Sequence, residues 1–215
     1  MSRRPIVIVG AGGHAAVIIE ALRDGGAFDP AAIVDPSPGA GDVLGVPVVG
    51  ADEALPGLRS QGLDAAVVAI GANALRQKLG AGLLALGFEL PPVIHPSAIV
   101  AASAAVGAGA VVMARACIGA RAEVGELAVI NTGAIVEHDN RIGAAAHIAP
   151  GVALGGGVIV GERSLVGIGS STRPGVRIGA DVIVGAGSAV VCDLADGSVV
   201  GGAPARPLSR TGGRP

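Results

Sequence analysis

The chain has 215 residues, 51% of them hydrophobic, with 15 Lys and Arg against 17 Asp and Glu and a formal net charge of -2. That scattered charge, with 1% aromatic residues and no Trp or Tyr, provides neither a basic face nor a stacking platform, which argues against nucleic acid as a partner. Gly, His or charge interrupts every apolar stretch before it reaches membrane-spanning length, so no membrane association is expected. Cys117 and Cys192 lie far apart without CxxC spacing, which suggests no disulfide framework and fits a reducing cytoplasm.

Residues 6–9, Ile-Val-Ile-Val, read as a buried parallel strand; the run is too short for a secretory signal. A turn, Gly10-Ala11-Gly12-Gly13-His14, leads into a helix over residues 15–23. This strand, glycine turn, helix order brings backbone N–H groups up to a phosphate or another polar ligand group. A second strand over residues 32–35 ends on the carboxylate of Asp35. A third over residues 65–70 runs into Gly71 before a helix over residues 74–86. Residues 1–90 are thus expected to form a Rossmann-like βαβαβ unit. Only one half of a dinucleotide fold fits there, which favours a nucleotide or nucleotide-sugar platform over an NAD site. Tight strand-to-helix turns need Gly regardless, so the turn alone is a weak signal.

From Ile94 to Val190 an aliphatic residue recurs every sixth position, broken only by Thr172. A small residue or Val follows four positions on in nearly every hexad, and Gly often comes directly after the aliphatic position. Six is neither the helical nor the strand period and marks a repeat architecture. Each hexad supplies a short strand and a corner, and three hexads close one triangular coil of a parallel β-helix. The branched residue points inward, the small residue fits where the coil narrows, and Gly is expected to serve the tight corner. This domain is expected over residues 91–208. The Gly/Pro/Arg-rich tail over 209–215 is expected to be mobile.

Glu137, His138 and Asp139 stand in a row within a coil otherwise made of Ala, Gly and Val. His138 falls at an outward corner position. His147 lies half a coil further on and faces another side of the triangle, so the two histidines cannot converge within one chain. In a threefold trimer, His138 of one subunit would meet His147 of the next. Zinc is the rival reading for His95, His138 and His147; their spacing offers no close pair, and no metal is expected.

The unbroken hexad register resembles the left-handed β-helix of hexapeptide-repeat acyltransferases. With Gly12-Gly13-His14 after the first strand, Asn131-Thr132 leading to Glu137-His138-Asp139, and then His147, the chain resembles bacterial acetyltransferases acting on nucleotide-linked 4-amino-4,6-dideoxy sugars. Sialic acid O-acetyltransferases are relatives of that family. The resemblance implies a cytoplasmic homotrimer that moves acetyl from acetyl-CoA to the sugar C4 amine, with GDP-perosamine as first choice of substrate and a UDP-linked bacillosamine precursor as second. It implies His138 as catalytic base and Asp139 as its acidic partner. Gly12, Gly13, His14, Asp35, Gly71, Asn131 and Glu137 are carried to the sugar-nucleotide side. His147, Ile168, Gly185, Ala186 and Arg206 are carried to the acetyl-CoA side. Sialic acid O-acetylation and a non-catalytic scaffold are the alternatives; the His138-Asp139 pair argues against a scaffold.

Overall fold

The computed structural model describes residues 3–37 and 41–208; the expected mobile tail over 209–215 lies outside them. The apolar run at the amino terminus becomes β1 (Arg4–Val9), with Ile6, Val7 and Ile8 wholly buried, as a strand covered on both faces must be. It is followed by α1 (Gly13–Gly25), β2 (Phe28–Val34), β3 (Asp42–Val43), β4 (Val46–Gly50), α2 (Leu55–Ser60), β5 (Ala66–Val68) and α3 (Asn73–Ala85). The sheet order is β3-β4-β2-β1-β5, parallel except for β3 against β4. Chain direction across the sheet reverses between β1 and β5, and ligands of open α/β sheets bind beyond the strand ends at such a point. The β3–β4 hairpin and α2 add to the expected βαβαβ plan. The hairpin turn, Leu44 at φ 51 and Gly45 at φ 78, has both central residues left-handed, as a tight two-residue turn requires.

From Val93 onward, two-residue strands recur every six residues and pair in parallel with the strand eighteen residues on. Three sheets result, forming the faces of a left-handed β-helix. The first face contains Val111–Val112, Val129–Ile130, His147–Ile148 and Leu165–Val166. The first corner follows it at residues 132–133, 150–151 and 168–169. The second corner lies at 120–121, 138–139 and 156–157, and the third at 126–127, 144–145 and 162–163. Val112, Ile130, Ile148, Val166 and Val184 stack down one inner column, each at most 1% exposed.

The glycines after the aliphatic positions have a different reason from the expected one. They are not the left-handed corner residues; a Cβ on Gly119 would lie 2.7 Å from the His138 nitrogen in the next coil. Their absent side chains let successive coils approach. The left-handed corner positions belong to residues such as Arg121, Asp139 and Gly157. Polar residues also enter the repeat, and each finds a backbone partner. Thr172 Oγ1 accepts the Gly155 N–H at 3.0 Å, and Asn140, fully buried at a small-residue position, accepts the Val158 N–H.

The amino-terminal unit sits on the first face and the third corner. Val93, Val111, Met113 and Val129 share one apolar cluster with Ile6, Ile8, Ile18, Ile19 and Leu22. The third corner is met by one stripe of α3, namely Asn73, Arg76, Gln77 and Gly80, at the helical spacing that shares a face. Asn73 Nδ2 donates to the Arg163 carbonyl at 2.8 Å, and Arg163 Nη1 donates to Gln77 Oε1 at 3.0 Å. A Cβ on Gly80 would overlap the Leu127 side chain. Arg76, 1% exposed, donates from Nε to the Leu127 carbonyl at 2.8 Å and from Nη2 to that of Ala145 at 2.7 Å. It also reaches the Ile70 and Gly71 carbonyls at 2.9 and 3.1 Å and Asn73 Oδ1 at 2.8 Å. None of these acceptors is charged, and burial pulls its pKa down to about 10.

Candidate active site

The glycine turn divides by function. Gly10, at φ 108, has no room for a side chain: a Cβ would lie 2.9 Å from the Ala69 carbonyl oxygen. Gly12, Gly13 and Gly71 face open space, with nothing within 4 Å of a Cβ. Gly12 is the N-cap of α1 without a side-chain cap, so the unsatisfied N–H groups of that helix end are available to an anionic ligand. Asp35, assigned to substrate from the sequence, first shapes the turn. Its Oδ2 accepts the Ala11 N–H at 2.7 Å and its Oδ1 that of Ser37 at 2.8 Å. The Ser37 N–H is the main cause holding the carboxyl below its usual range.

His14 is partly buried, and its Nε2 has no hydrogen-bond partner among the described residues. Burial, then the charge of Arg76, pushes its pKa down. On the first face, His147 is lowered to about 4 by burial, then by Arg76 and His14. These two histidines and Arg76 therefore form one electrostatic group at the junction of the two units. Asn131 Oδ1 accepts the Thr132 N–H at 2.8 Å, which directs Nδ2 at His147 Nε2, 3.0 Å away. Assigned from this network, the neutral ring carries its proton on Nδ1, leaving Nδ1–H as its donor.

The eighteen-residue register aligns further residues down the first corner. Asn131 and Gly185 fall in one column three coils apart, and Ile168 and Ala186 fall in the column of Thr132. Ile168 is 60% exposed, so this corner presents an apolar, glycine-lined strip. Arg206 lies at the far end in a short hairpin, paired with Gly201. It borders a cleft of about 490 Å3 with Asp193, Leu194 and Ala205.

His138 and Asp139 occupy the second corner, the one opposite the first face. Asp139 has left-handed backbone, φ 59, and its Oδ2 accepts from His138 Nδ1 at 2.6 Å. Arg121, one coil below, donates from Nε to Oδ1 at 2.7 Å and from Nη2 to Oδ2 at 2.9 Å. Arg121 first, and His138 second, hold the Asp139 carboxyl down at about 2. Glu137 turns back to accept the His138 N–H at 3.2 Å, a local bond that the assignment to substrate did not anticipate. The chain thus brings together Gly12, Gly13, His14, His147 and Asn131 around the junction and leaves His138 and Asp139 on the far corner.

Sequence reasoning passed over Arg76 and Arg121. Their signals were available: an Arg on the same helical stripe as Gly80, and an Arg eighteen residues before Asp139. Among the described residues no group of three His, Cys, Asp or Glu is disposed to hold a metal, and His95 is instead engaged by Ser97 and Asp24. No helix among the described residues is long and apolar enough to cross a membrane.

A glycine turn at a Rossmann-like switch point, joined to a left-handed β-helix with a corner His-Asp pair, defines a hexapeptide-repeat acyltransferase. Residues 5–82 match the PglD N-terminal domain family. PerB from Caulobacter crescentus, solved with CoA and GDP-perosamine, is 54% identical over 95% of this chain and 97% of its own, with a TM-score of 0.91. Variants of that enzyme, a perosamine N-acetyltransferase, with one histidine changed to asparagine or to alanine are also similar, at 53% identity. The acetyltransferase domain of PglB from Neisseria gonorrhoeae, in complex with acetyl coenzyme A, is 39% identical over 96% of this chain and all of its own, with a TM-score of 0.92. No curated protein sequence matches. The chain belongs to the nucleotide-sugar N-acetyltransferases of the hexapeptide-repeat superfamily. It is an acetyl-CoA-dependent sugar N-acetyltransferase.

Proposed function

We propose that the protein acetylates the C4 amine of a GDP-linked 4-amino-4,6-dideoxy sugar, with GDP-perosamine as substrate, in surface-glycan synthesis in the cytoplasm. The similarity to PerB over nearly the full length of both chains supports this choice. The amino-terminal unit over residues 3–90 takes the nucleotide: the open N–H groups at Gly12 and Gly13 face the diphosphate. The first corner, from Asn131 through Ile168 to Gly185 and Ala186, takes acetyl-CoA. There the Nδ1–H of His147 donates to the thioester carbonyl, whose oxygen gains charge as the amine attacks.

The reaction joins the sugar amine nitrogen to the acetyl carbon and breaks the carbon–sulfur bond. The amine proton passes to His138 Nε2, and the thiolate of CoA leaves to be protonated. Asp139 holds the ring from its Nδ1 side, so Nε2 is the free acceptor. Imidazole suits proton transfer near neutral pH.

The observation that carries the assembly is the position of His138 at the corner opposite its own nucleotide unit. A base there serves a nucleotide sugar held by another copy, which supports a homotrimer with active sites between chains. The test is acetyl transfer from acetyl-CoA to GDP-, UDP- and CMP-linked amino sugars, with light scattering of the same sample. Turnover of the GDP-linked sugar by a trimer is expected. A monomer, or a preference for the UDP- or CMP-sugar, contradicts the corresponding part.

A further inference from the structure

Three consecutive residue pairs of the second corner stack eighteen apart: Ala120 and Arg121, His138 and Asp139, Gly156 and Gly157. Arg121 and Asp139 share left-handed backbone, both at φ 59, so their side chains leave the corner in the same direction. One coil's separation lets the guanidinium fork close on both carboxylate oxygens, a bidentate geometry that fixes the plane of the acceptor. The same carboxylate takes the Nδ1 proton of His138. Yet Arg121 is 68% exposed, and such a pair contributes little to folding.

On the other side of the ring, each glycine of the run 155–157 has its own reason. A Cβ on Gly155 would meet the Pro174 nitrogen at 2.7 Å, and Gly157 is left-handed at φ 68. Gly156 has neither constraint. A Cβ there would lie 2.6 Å from both Cε1 and Nε2 of His138, so the imidazole edge rests across this glycine. A methyl group would be accommodated by moving the ring rather than the backbone.

We propose that Arg121 and Gly156 are positioning residues for the base: Arg121, through Asp139, fixes the Nδ1 side of His138, and Gly156 is the floor that sets where Nε2 points. The inference rests on His138 as proton acceptor. Two neighbouring coils thereby aim an exposed side chain that nothing else among the described residues holds, and the hexad repeat supplies the aim at no cost in core packing.

The experiment measures kcat, both Michaelis constants and thermal midpoint for His138→Ala, Asp139→Asn, Arg121→Ala, Arg121→Lys, Gly156→Ala and the Arg121→Ala/Asp139→Asn double variant. Arg121→Ala and Gly156→Ala are expected to lower kcat by roughly tenfold to a hundredfold, the scale of a misplaced catalytic group, with both Michaelis constants and the thermal midpoint unchanged. Arg121→Lys recovers part of the loss, and Arg121→Ala causes none in the Asp139→Asn background. Wild-type kcat in Arg121→Ala and Gly156→Ala, with His138→Ala impaired, overturns this inference alone. Independent, additive losses from Arg121→Ala and Asp139→Asn overturn the action of Arg121 through Asp139. Wild-type kcat in His138→Ala removes the base itself, and the inference with it.

Discussion

Two arginines that act on neighbouring corners of the β-helix, Arg121 from within the repeat and Arg76 from α3, have opposite surroundings. Arg121 is exposed and forked onto a carboxylate, whereas Arg76 is buried among uncharged acceptors, most of them backbone carbonyls. A charge-neutral corner leaves Asp139 free to orient a base without adding net field. An uncompensated buried cation does the reverse: it fastens two units by saturating their orphan carbonyls and projects positive charge onto His14 and His147. The corner backbone is common to both sites, and burial decides which use it serves.

The contrast is broken most strongly at Arg76. Arg76→Met leaves at least four carbonyls unpaired at a buried junction and should lower the unfolding free energy by about 3–5 kcal/mol, read by chemical denaturation, while Arg121→Met should leave the denaturation midpoint in place. Equal effects from the two would erase the distinction. Next, His138→Ala should lower kcat by roughly 10²-fold or more with the acetyl-CoA Michaelis constant little changed; near-wild-type turnover in His138→Asn across pH would mean the amine attacks unaided. Gly12→Val, whose side chain meets nothing within 4 Å, should raise the Michaelis constant for the nucleotide sugar and spare that for acetyl-CoA. Equal damage to both would make the turn purely structural.

The smallest effect is a pH dependence of stability. His147 has a folded pKa of about 4 against an ordinary 6.5, and His14 is lowered too. Below pH 6.5 the unfolded chain binds protons that the folded chain refuses, so their contribution is present above 6.5 and is lost as pH falls toward 4. His147→Gln should flatten the fall of the thermal midpoint across that window; an unchanged slope would show that burial at the junction does not hold the ring neutral.

The repeat was legible because a six-residue period has only one common structural solution, and that register alone puts His138 and His147 on different sides. The glycine turn was legible as a turn, but not how its work divides: Gly10 serves packing and Gly12 open space, a difference set by Ala69 and Ile70, just after β5, lying against the first. The β3–β4 hairpin was missed because Leu44 takes a left-handed conformation that its side chain does not advertise. Arg76 and Arg121 were missed for a shared reason. Each arginine's role here depends on partners far along the chain, 18 residues away for Arg121 and 51 and 69 for Arg76, and single-chain patterns signal spacing, not which side chains turn toward each other.

The account's central claim is that the base of one chain serves the nucleotide unit of another. Co-refolding His138→Ala with Gly12→Val, each inactive alone under limiting nucleotide sugar, tests it directly. If the site lies between chains, random mixed trimers contain sites with both residues intact, roughly a quarter of the total, and activity returns on mixing. If each chain uses its own His138 and its own Gly12, every site in every mixture carries one lesion, and the mixture remains as inactive as its parents.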